Sequence, residues 1–259
     1  MSDARSDVHS TAQLGFTRQA EAYRRGRPGY PPQLQDWLRD VLDLGPGRAV
    51  AEVGAGTGKF TPLLLATGAD VIAVEPVDSM RERITPHQHL RTQAGTAQAT
   101  GLAAASLDAL VCAQAFHWFA DHAALDEFAR VMKPGAFLGL VWNERDESVD
   151  WVAALARIIA PYEEGDAPRF AKGDWRRAFP HPAFGPLTET VLSHEHVGPP
   201  EQVIIDRVLS SSVIAVLPDD EQASVRAQLD HLIATHPALC GRTEIRVPHA
   251  TRAFVSMRV

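Results

Sequence analysis

The feature that most constrains this chain is a short apolar run that ends in an acid and then meets glycine at every second position. Ala49-Val50-Ala51-Glu52-Val53 reads as a buried strand, and Gly54-Ala55-Gly56-Thr57-Gly58-Lys59 as a loop running into a helix that carries Pro62 and Leu63-Leu64-Leu65. Glycine is needed where the backbone turns with positive φ or lies flat against a ligand. A strand, a glycine loop and a helix N-terminus in succession bring backbone N–H groups up to a bound cofactor. The dinucleotide fingerprint asks for G-x-G-x-x-G, and here its last position is Lys59. The P-loop asks for G-x-x-x-x-G-K-[ST], and here Val53 and Phe60 occupy its two ends. Neither phosphate-binding motif fits.

A second acid extends the pattern. Asp70-Val71-Ile72-Ala73-Val74 reads as a second strand closing on Glu75. A carboxylate at that point can accept hydrogen bonds from both hydroxyls of a ribose, a role shared with nicotinamide enzymes. Further strands are expected at 90–93, 107–113 and 136–142, with helices at about 59–66, 78–84 and 121–132. Such alternation argues for a parallel sheet with helices on both faces. Ligands of such sheets sit beyond the carboxyl ends of the strands. The segments Gly54–Gly58, Glu75, Thr96–Gln98 and Gln114–Trp118 all follow strands and are expected to converge there.

Beyond residue 150 the pattern changes. A helix is expected over Trp151–Tyr162, an irregular stretch over Pro168–Pro186 and a strand over Thr188–His196. Two helices follow, Glu201–Leu217 and Asp219–His236, and then a closing hairpin of Glu244–Val247 with Ala253–Val259. We read 1–259 as one domain. It has an N-terminal lid segment (11–44), a cofactor-binding core (45–143) and an acceptor-binding elaboration (150–236) with closing strands to 259.

The E-x-G-x-G-x-G form resembles motif I of the class I S-adenosylmethionine-dependent methyltransferases. Over about residues 14–143 the chain is similar to the small-molecule branch called methyltransferase type 11, including trans-aconitate-methyltransferase-like proteins. Five stretches carry the resemblance. They are Phe16…Tyr23…Arg27-Pro28-x-Tyr30, the Glu52 motif, Val74-Glu75-Pro76-x-x-x-Met80, Gln114-Ala115-Phe116-His117-Trp118-Phe119, and Val141-Trp142-Asn143. The resemblance implies a Rossmann-like, doubly wound α/β fold. Its sheet has seven strands, the last antiparallel, with helical lid insertions in the C-terminal part. It also implies S-adenosylmethionine as methyl donor and S-adenosylhomocysteine as product.

On that basis Gly54, Ala55, Gly56, Thr57 and Gly58 are expected against the methionine and ribose of the cofactor. Glu52 would orient the loop or reach the cofactor amino group through water. Glu75 and Pro76 fall at the ribose, and Met80 near the adenine. Thr96 and Ala97 follow strand three, where the family has Gly-Asp-Ala-Glu and this chain reads Gly95-Thr96-Ala97-Gln98. The neutral hydroxyl of Thr96 is a weaker acceptor than the family's carboxylate. Gln114 follows strand four. Tyr23, Arg27 and Tyr30 are expected to close over the site, with His117, Trp118, Trp142 and Asn143 toward the acceptor. His117 is the candidate general base, because an imidazole titrates near neutrality.

Composition narrows the partners. The 259 residues carry a net charge of −7, with no Lys/Arg block, which argues against tight nucleic-acid binding. No apolar run approaches membrane-spanning length and no signal-peptide core is seen at the N-terminus, so a membrane partner is not expected. The two cysteines, Cys112 and Cys240, form no spaced motif and suit a reducing cytoplasm. His87-x-His89 and His194-x-His196 lack a third ligand at metal spacing, so no metal is expected and surface or structural histidines are favoured. The reading is methyl transfer to oxygen, nitrogen or carbon of a small-molecule acceptor, with carboxylate or hydroxyl preferred. Two alternatives stay open: a nicotinamide-dependent oxidoreductase, and a cofactor-binding protein that does not methylate.

Overall fold

Apolar strands separated by short amphipathic helices set the architecture. The computed structural model describes residues 29–163, 170–211 and 213–259. Helix α1 (Gln33–Asp40) buries Leu34, Trp37 and Leu38, one stripe at helical spacing. Then follow β1 (Ala49–Val53), α2 (Thr61–Leu65), β2 (Asp70–Val74), α3 (Asp78–Arg81), β3 (Leu90–Gln93) and β4 (Leu107–Ala113). A 3-10 turn over Phe116–Trp118 leads to α4 (His122–Val131), β5 (Met132–Arg145) and α5 (Asp150–Glu163). The chain continues through β6 (Thr188–Gly198), a π-helical turn (Glu201–Asp206), α6 (Arg207–Leu209), α7 (Asp219–Thr235) and β7 (Ile245–Met257). The α4 start is fixed by Asp121, whose carboxylate accepts the Ala124 N–H at 2.7 Å, a side-chain N-cap.

The seven strands form one sheet in the order β3-β2-β1-β4-β5-β7-β6. Strand β7 pairs antiparallel with both neighbours, and β1–β5 pair in parallel. The order reverses between β1 and β4, which opens a crevice at their carboxyl ends. One face of the sheet packs on α1 and α2 through Leu34, Trp37, Leu38, Phe60 and Leu64. The other packs on α4 and on the aromatics Phe116, Phe128, Trp175 and Phe254.

Strands β6 and β7 run on past the end of β5. The β5–β7 ladder stops at Arg145↔His249, whereas β6 pairs with β7 as far as Gly198↔Ile245. Ile245 and Val247 of this overhang pack with Trp151, Val152 and Leu155 of α5, Val208 of α6, and Val225 and Leu229 of α7. The helices of the C-terminal part thus have an apolar core of their own, beside the carboxyl edge of the sheet.

Two expectations are corrected. The closing hairpin of 244–247 with 253–259 is instead one strand, Ile245–Met257, whose partners are β5 and β6. Pro248 fits inside it because its carbonyl accepts from Asp146 N at 2.9 Å. Its missing N–H therefore faces the side where the β5 ladder has just ended. The helix expected over 201–217 shrinks to the π-helical turn and one α turn.

Candidate active site

The glycine loop is anchored to β2. Gly54 N and Ala55 N both donate to the Val74 carbonyl, at 2.9 and 3.1 Å, and Gly58 N closes a turn on the Ala55 carbonyl at 2.9 Å. Gly54, Gly56 and Gly58 have φ of +74°, +58° and +77°, a region that side chains disfavour. Ala55 is buried and Thr57 half-buried within this loop.

Glu75 sits directly beneath it, only 6% exposed. One carboxylate oxygen accepts from Gly56 N at 2.8 Å and the other from Val77 N at 3.0 Å. Arg81 Nη1 donates to the Glu75 carbonyl at 2.9 Å. Burial raises the Glu75 pKa, opposed by the two N–H donors and the Arg81 charge. Each oxygen takes one backbone donor, which leaves acceptor capacity for a hydroxyl. Pro76 is half-buried beside it. Met80 is buried and packs near Gly56, with its methyl 3.6 Å from where a Gly56 Cβ would stand.

Glu52 lies deeper, 1% exposed, and accepts from Thr61 Oγ1 at 2.6 Å. Burial pushes its carboxyl up to about 8; the Thr61 hydrogen bond opposes this and the nearby Glu75 charge adds to it. Glu52 is therefore mostly a neutral acid at pH 7. A pKa raised above the unfolded value gives stability that is full below about pH 4.5 and is lost as pH rises through about 8. Glu52→Gln cannot lose it. The melting temperature of Glu52→Gln relative to wild type is expected to climb between pH 5 and 9, by the equivalent of a few kcal/mol. Parallel thermal melts that track each other across that range would refute the shift.

After β3, Thr96 and Ala99 exchange backbone hydrogen bonds at 3.1 and 3.2 Å, and Ala97 is buried. Gln98 Nε2 donates to the α4 cap Asp121 at 3.1 Å, so the substituted β3 loop is tied to α4. After β4, Gln114 holds a left-handed φ of +59°, and its amide reaches toward the Asn143 carbonyl at 3.4 Å. A non-glycine residue in this region is strained, and such strain clusters at functional sites.

His117 lies on the 3-10 turn beyond Gln114, its ring 5.3 Å from that of Trp118. Trp142 Nε1 donates to His117 Nδ1 at 3.0 Å. An indole nitrogen only donates, so neutral His117 carries its proton on Nε2. Trp142 itself is 1% exposed and packs against Phe170 and Trp175, with ring centroids 4.6 and 4.8 Å away. It reaches the site through His117 and is otherwise part of the core. Asn143 ties the N-terminal segment to the sheet, because its Nδ2 donates to the Gly29 carbonyl at 2.7 Å and its Oδ1 accepts from Thr251 Oγ1 at 2.5 Å. Tyr30 packs edge-on against Phe60 at 4.9 Å. Tyr23 and Arg27 lie outside the described residues.

Sequence reasoning missed Thr61, Arg81 and Thr251, which fix Glu52, Glu75 and Asn143 respectively. Their separations of 9, 6 and 108 residues fit no short motif, and only the folded sheet brings them together.

The chain is 35% identical over 246 residues to an uncharacterized methyltransferase-like protein of Schizosaccharomyces pombe, covering 93% of this chain and 94% of that one. It belongs to the class I S-adenosylmethionine-dependent methyltransferases. The family model described as a methyltransferase domain matches residues 51–140, from the middle of β1 into β5. An uncharacterized methyltransferase of Mycobacterium tuberculosis is 38% identical over 240 residues, covering 92% and 93% of the two chains. A solved structure from Anaeromyxobacter dehalogenans, proposed to be a type II methyltransferase, shares the fold with TM-score 0.63 at 24% identity over 90% of this chain and 96% of that one. The methyltransferase uses S-adenosylmethionine, and the Glu75 carboxylate beneath the glycine loop fits a ribose. Among the described residues, no helix is long and apolar enough to cross a membrane.

Proposed function

We propose that this methyltransferase acts on a small-molecule acceptor, at oxygen, nitrogen or carbon, with a carboxylate or hydroxyl preferred. The observation that carries the reading is topological. The glycine loop, Glu75, Gln114 and His117 all follow strands at one carboxyl edge of the sheet, and the α5–α7 helices stand beside that edge on the β6–β7 overhang. The preference for a carboxylate rests on the resemblance to trans-aconitate-methyltransferase-like proteins. The free thiols of Cys112 and Cys240 support a reducing, cytoplasmic setting.

When bound, S-adenosylmethionine supplies an electrophilic methyl group on a good leaving group. The chain's own residues bind and align. Gly54–Gly58 cradle the cofactor, Glu75 holds its ribose, Met80 flanks the adenine, and Thr96 and Ala97 complete the adenine side. Buried Glu52 sets the loop through Thr61. Alignment of the reactants can supply ~7–11 kcal/mol without a dedicated acid or base. The Trp142 hydrogen bond favours a donor role for His117. Its Nε2–H would orient the acceptor, since the lone pair a base needs is engaged by the indole. Tyr23, Arg27, Tyr30, Trp118 and Asn143 are assigned to the lid and the acceptor wall.

The test pairs calorimetric titration with S-adenosylhomocysteine and a transfer assay using methyl-labelled S-adenosylmethionine. The label is offered to a low-molecular-weight metabolite fraction, a protein fraction and a nucleic-acid fraction. Label in the small-molecule fraction alone is expected. Label only in a macromolecule, or none from a protein that binds S-adenosylhomocysteine, overturns the reading. His117→Gln keeps an N–H donor and should retain most of the rate; a loss beyond ~1000-fold would return His117 to the role of base.

A further inference from the structure

The β6–β7 ribbon places three imidazoles on one face of the sheet. His194 lies directly opposite His249 in the ladder, and His249 opposite Arg145 of β5. His196 follows two residues along β6, on the same face. The ring of His249 is 6.3 Å from that of His194 and 6.2 Å from that of His196. This row stands at the carboxyl edge, one step beyond the Asn143–Thr251 pair that holds Gly29. It shares the face packed by α1 and α2.

His196 and His249 are only 8% and 7% exposed, so of the surface or structural roles expected for the His194-x-His196 pair, His196 takes a buried one. His249 Nδ1 bonds the Val247 carbonyl at 2.9 Å. His194 Nε2 and His196 Nδ1 are buried with no hydrogen-bond partner. Orphaned buried nitrogens are uncommon and call for an explanation.

The surroundings are cationic. Lys59, the residue after the glycine loop, acts on His196 together with Arg207 of α6 and His194. Arg207, His196 and Arg145 act on His249. On His194 the Gly29 backbone and the Glu195 charge pull the other way, and Glu195 is itself paired with Arg246 at 2.8 Å. Burial and these cations hold His196 down at about 4 and His249 at about 3. Among the described residues no group of three His, Cys, Asp or Glu side chains could hold a metal.

We propose that His194, His196 and His249, with Lys59, Arg145 and Arg207 around them, form the subsite that binds a carboxylate of the methyl acceptor. Neutral His196 can carry its N–H on the orphaned Nδ1, whereas His194, whose other nitrogen bonds the Gly29 backbone, donates from Nε2 on taking up a second proton, which a bound carboxylate charge favours. A carboxylate offers two acceptor oxygens and one charge, which matches two unpartnered nitrogens. A phosphate would bring more charge into the same buried place at a greater desolvation cost. The proposal rests on the methyltransferase reading above and names the chemistry of the acceptor for it. It also gives Lys59 a purpose: the residue that departs from the dinucleotide motif carries its charge toward the acceptor side.

The experiment titrates succinate into the protein saturated with S-adenosylhomocysteine, by calorimetry and by the ring-nitrogen shifts of His194 and His196. Succinamide and inorganic phosphate serve as comparisons. Saturable succinate binding that moves both rings, is absent with succinamide, and weakens at least 10-fold in Arg207→Gln is expected. Arg207 is half-buried on a short helix, so this variant is expected to fold. His196→Asn should weaken succinate likewise while S-adenosylhomocysteine still binds. No succinate response in a protein that binds S-adenosylhomocysteine overturns the subsite alone, as does a response to phosphate only. Failure to bind S-adenosylhomocysteine would instead overturn the cofactor assignment beneath it.

Discussion

Glu75→Ala is expected to weaken S-adenosylhomocysteine binding by at least ~100-fold. Hydrogen bonds to a charged group contribute roughly 1.5–3 kcal/mol each, and a ribose offers two hydroxyls to this carboxylate. The substitution also strands the N–H groups of Gly56 and Val77, which Glu75 now satisfies at 2.8 and 3.0 Å. The glycine loop therefore loses its support as well as its ligand contact. Calorimetry on wild type and variant reads the loss directly. Glu75→Gln separates the two effects, because the amide oxygen can still accept one N–H and the variant should fall between the others. An affinity within about 5-fold of wild type in Glu75→Ala would remove Glu75 from the ribose role.

Gly54→Ala is expected to destabilise the fold by ~2–5 kcal/mol and to cut cofactor affinity with it. Two costs add. A side chain at φ +74° costs about 1–2 kcal/mol. The new methyl would also stand 2.7 Å from Ala115 Cβ and 3.3 Å from the Phe119 ring, and overpacking of this kind costs about 1–3 kcal/mol. Gly47 provides the control. Its φ is +81°, yet nothing lies within 4 Å of a Cβ built there, so Gly47→Ala should show the backbone cost of about 1–2 kcal/mol alone. Chemical denaturation of both variants measures the difference. Equal destabilisation would show that the approach of the β4 loop to Gly54 is looser than the structure has it.

The same loop shows what can be read from a sequence. Alternating glycines after a strand need no partner to be recognised, because positive φ is a local demand, and Gly54, Gly56 and Gly58 meet it. The strands 49–53 and 107–113 coincide with β1 and β4, since a largely apolar run between turn residues is also a local signal; 90–93, Leu-Arg-Thr-Gln, coincides with β3 without such a run. Glu75 was legible for the same reason: it ends a strand at a set distance from the glycines.

Other features were not local. The closing strand depends on the neighbours that flank β7. Its Pro248 is tolerated because the β5 ladder ends at His249, and no run of residues around 248 contains that fact. Nor does the spacing of His117 and Trp142 announce the hydrogen bond that sets the proton on Nε2. His194-x-His196 read as surface or structural histidines, and only the fold lays His249 of β7 opposite His194 and sets the Arg207 charge near His196. The sequence by itself determined the glycine loop, the alternation of strands and helices along the chain and the acid that closes β2, because each follows from backbone conformation and burial within a few residues. Only the tertiary structure decided which polar groups are sealed from water, and with what charges around them. Desolvation and Coulomb energy depend on distances between segments that lie far apart along the chain.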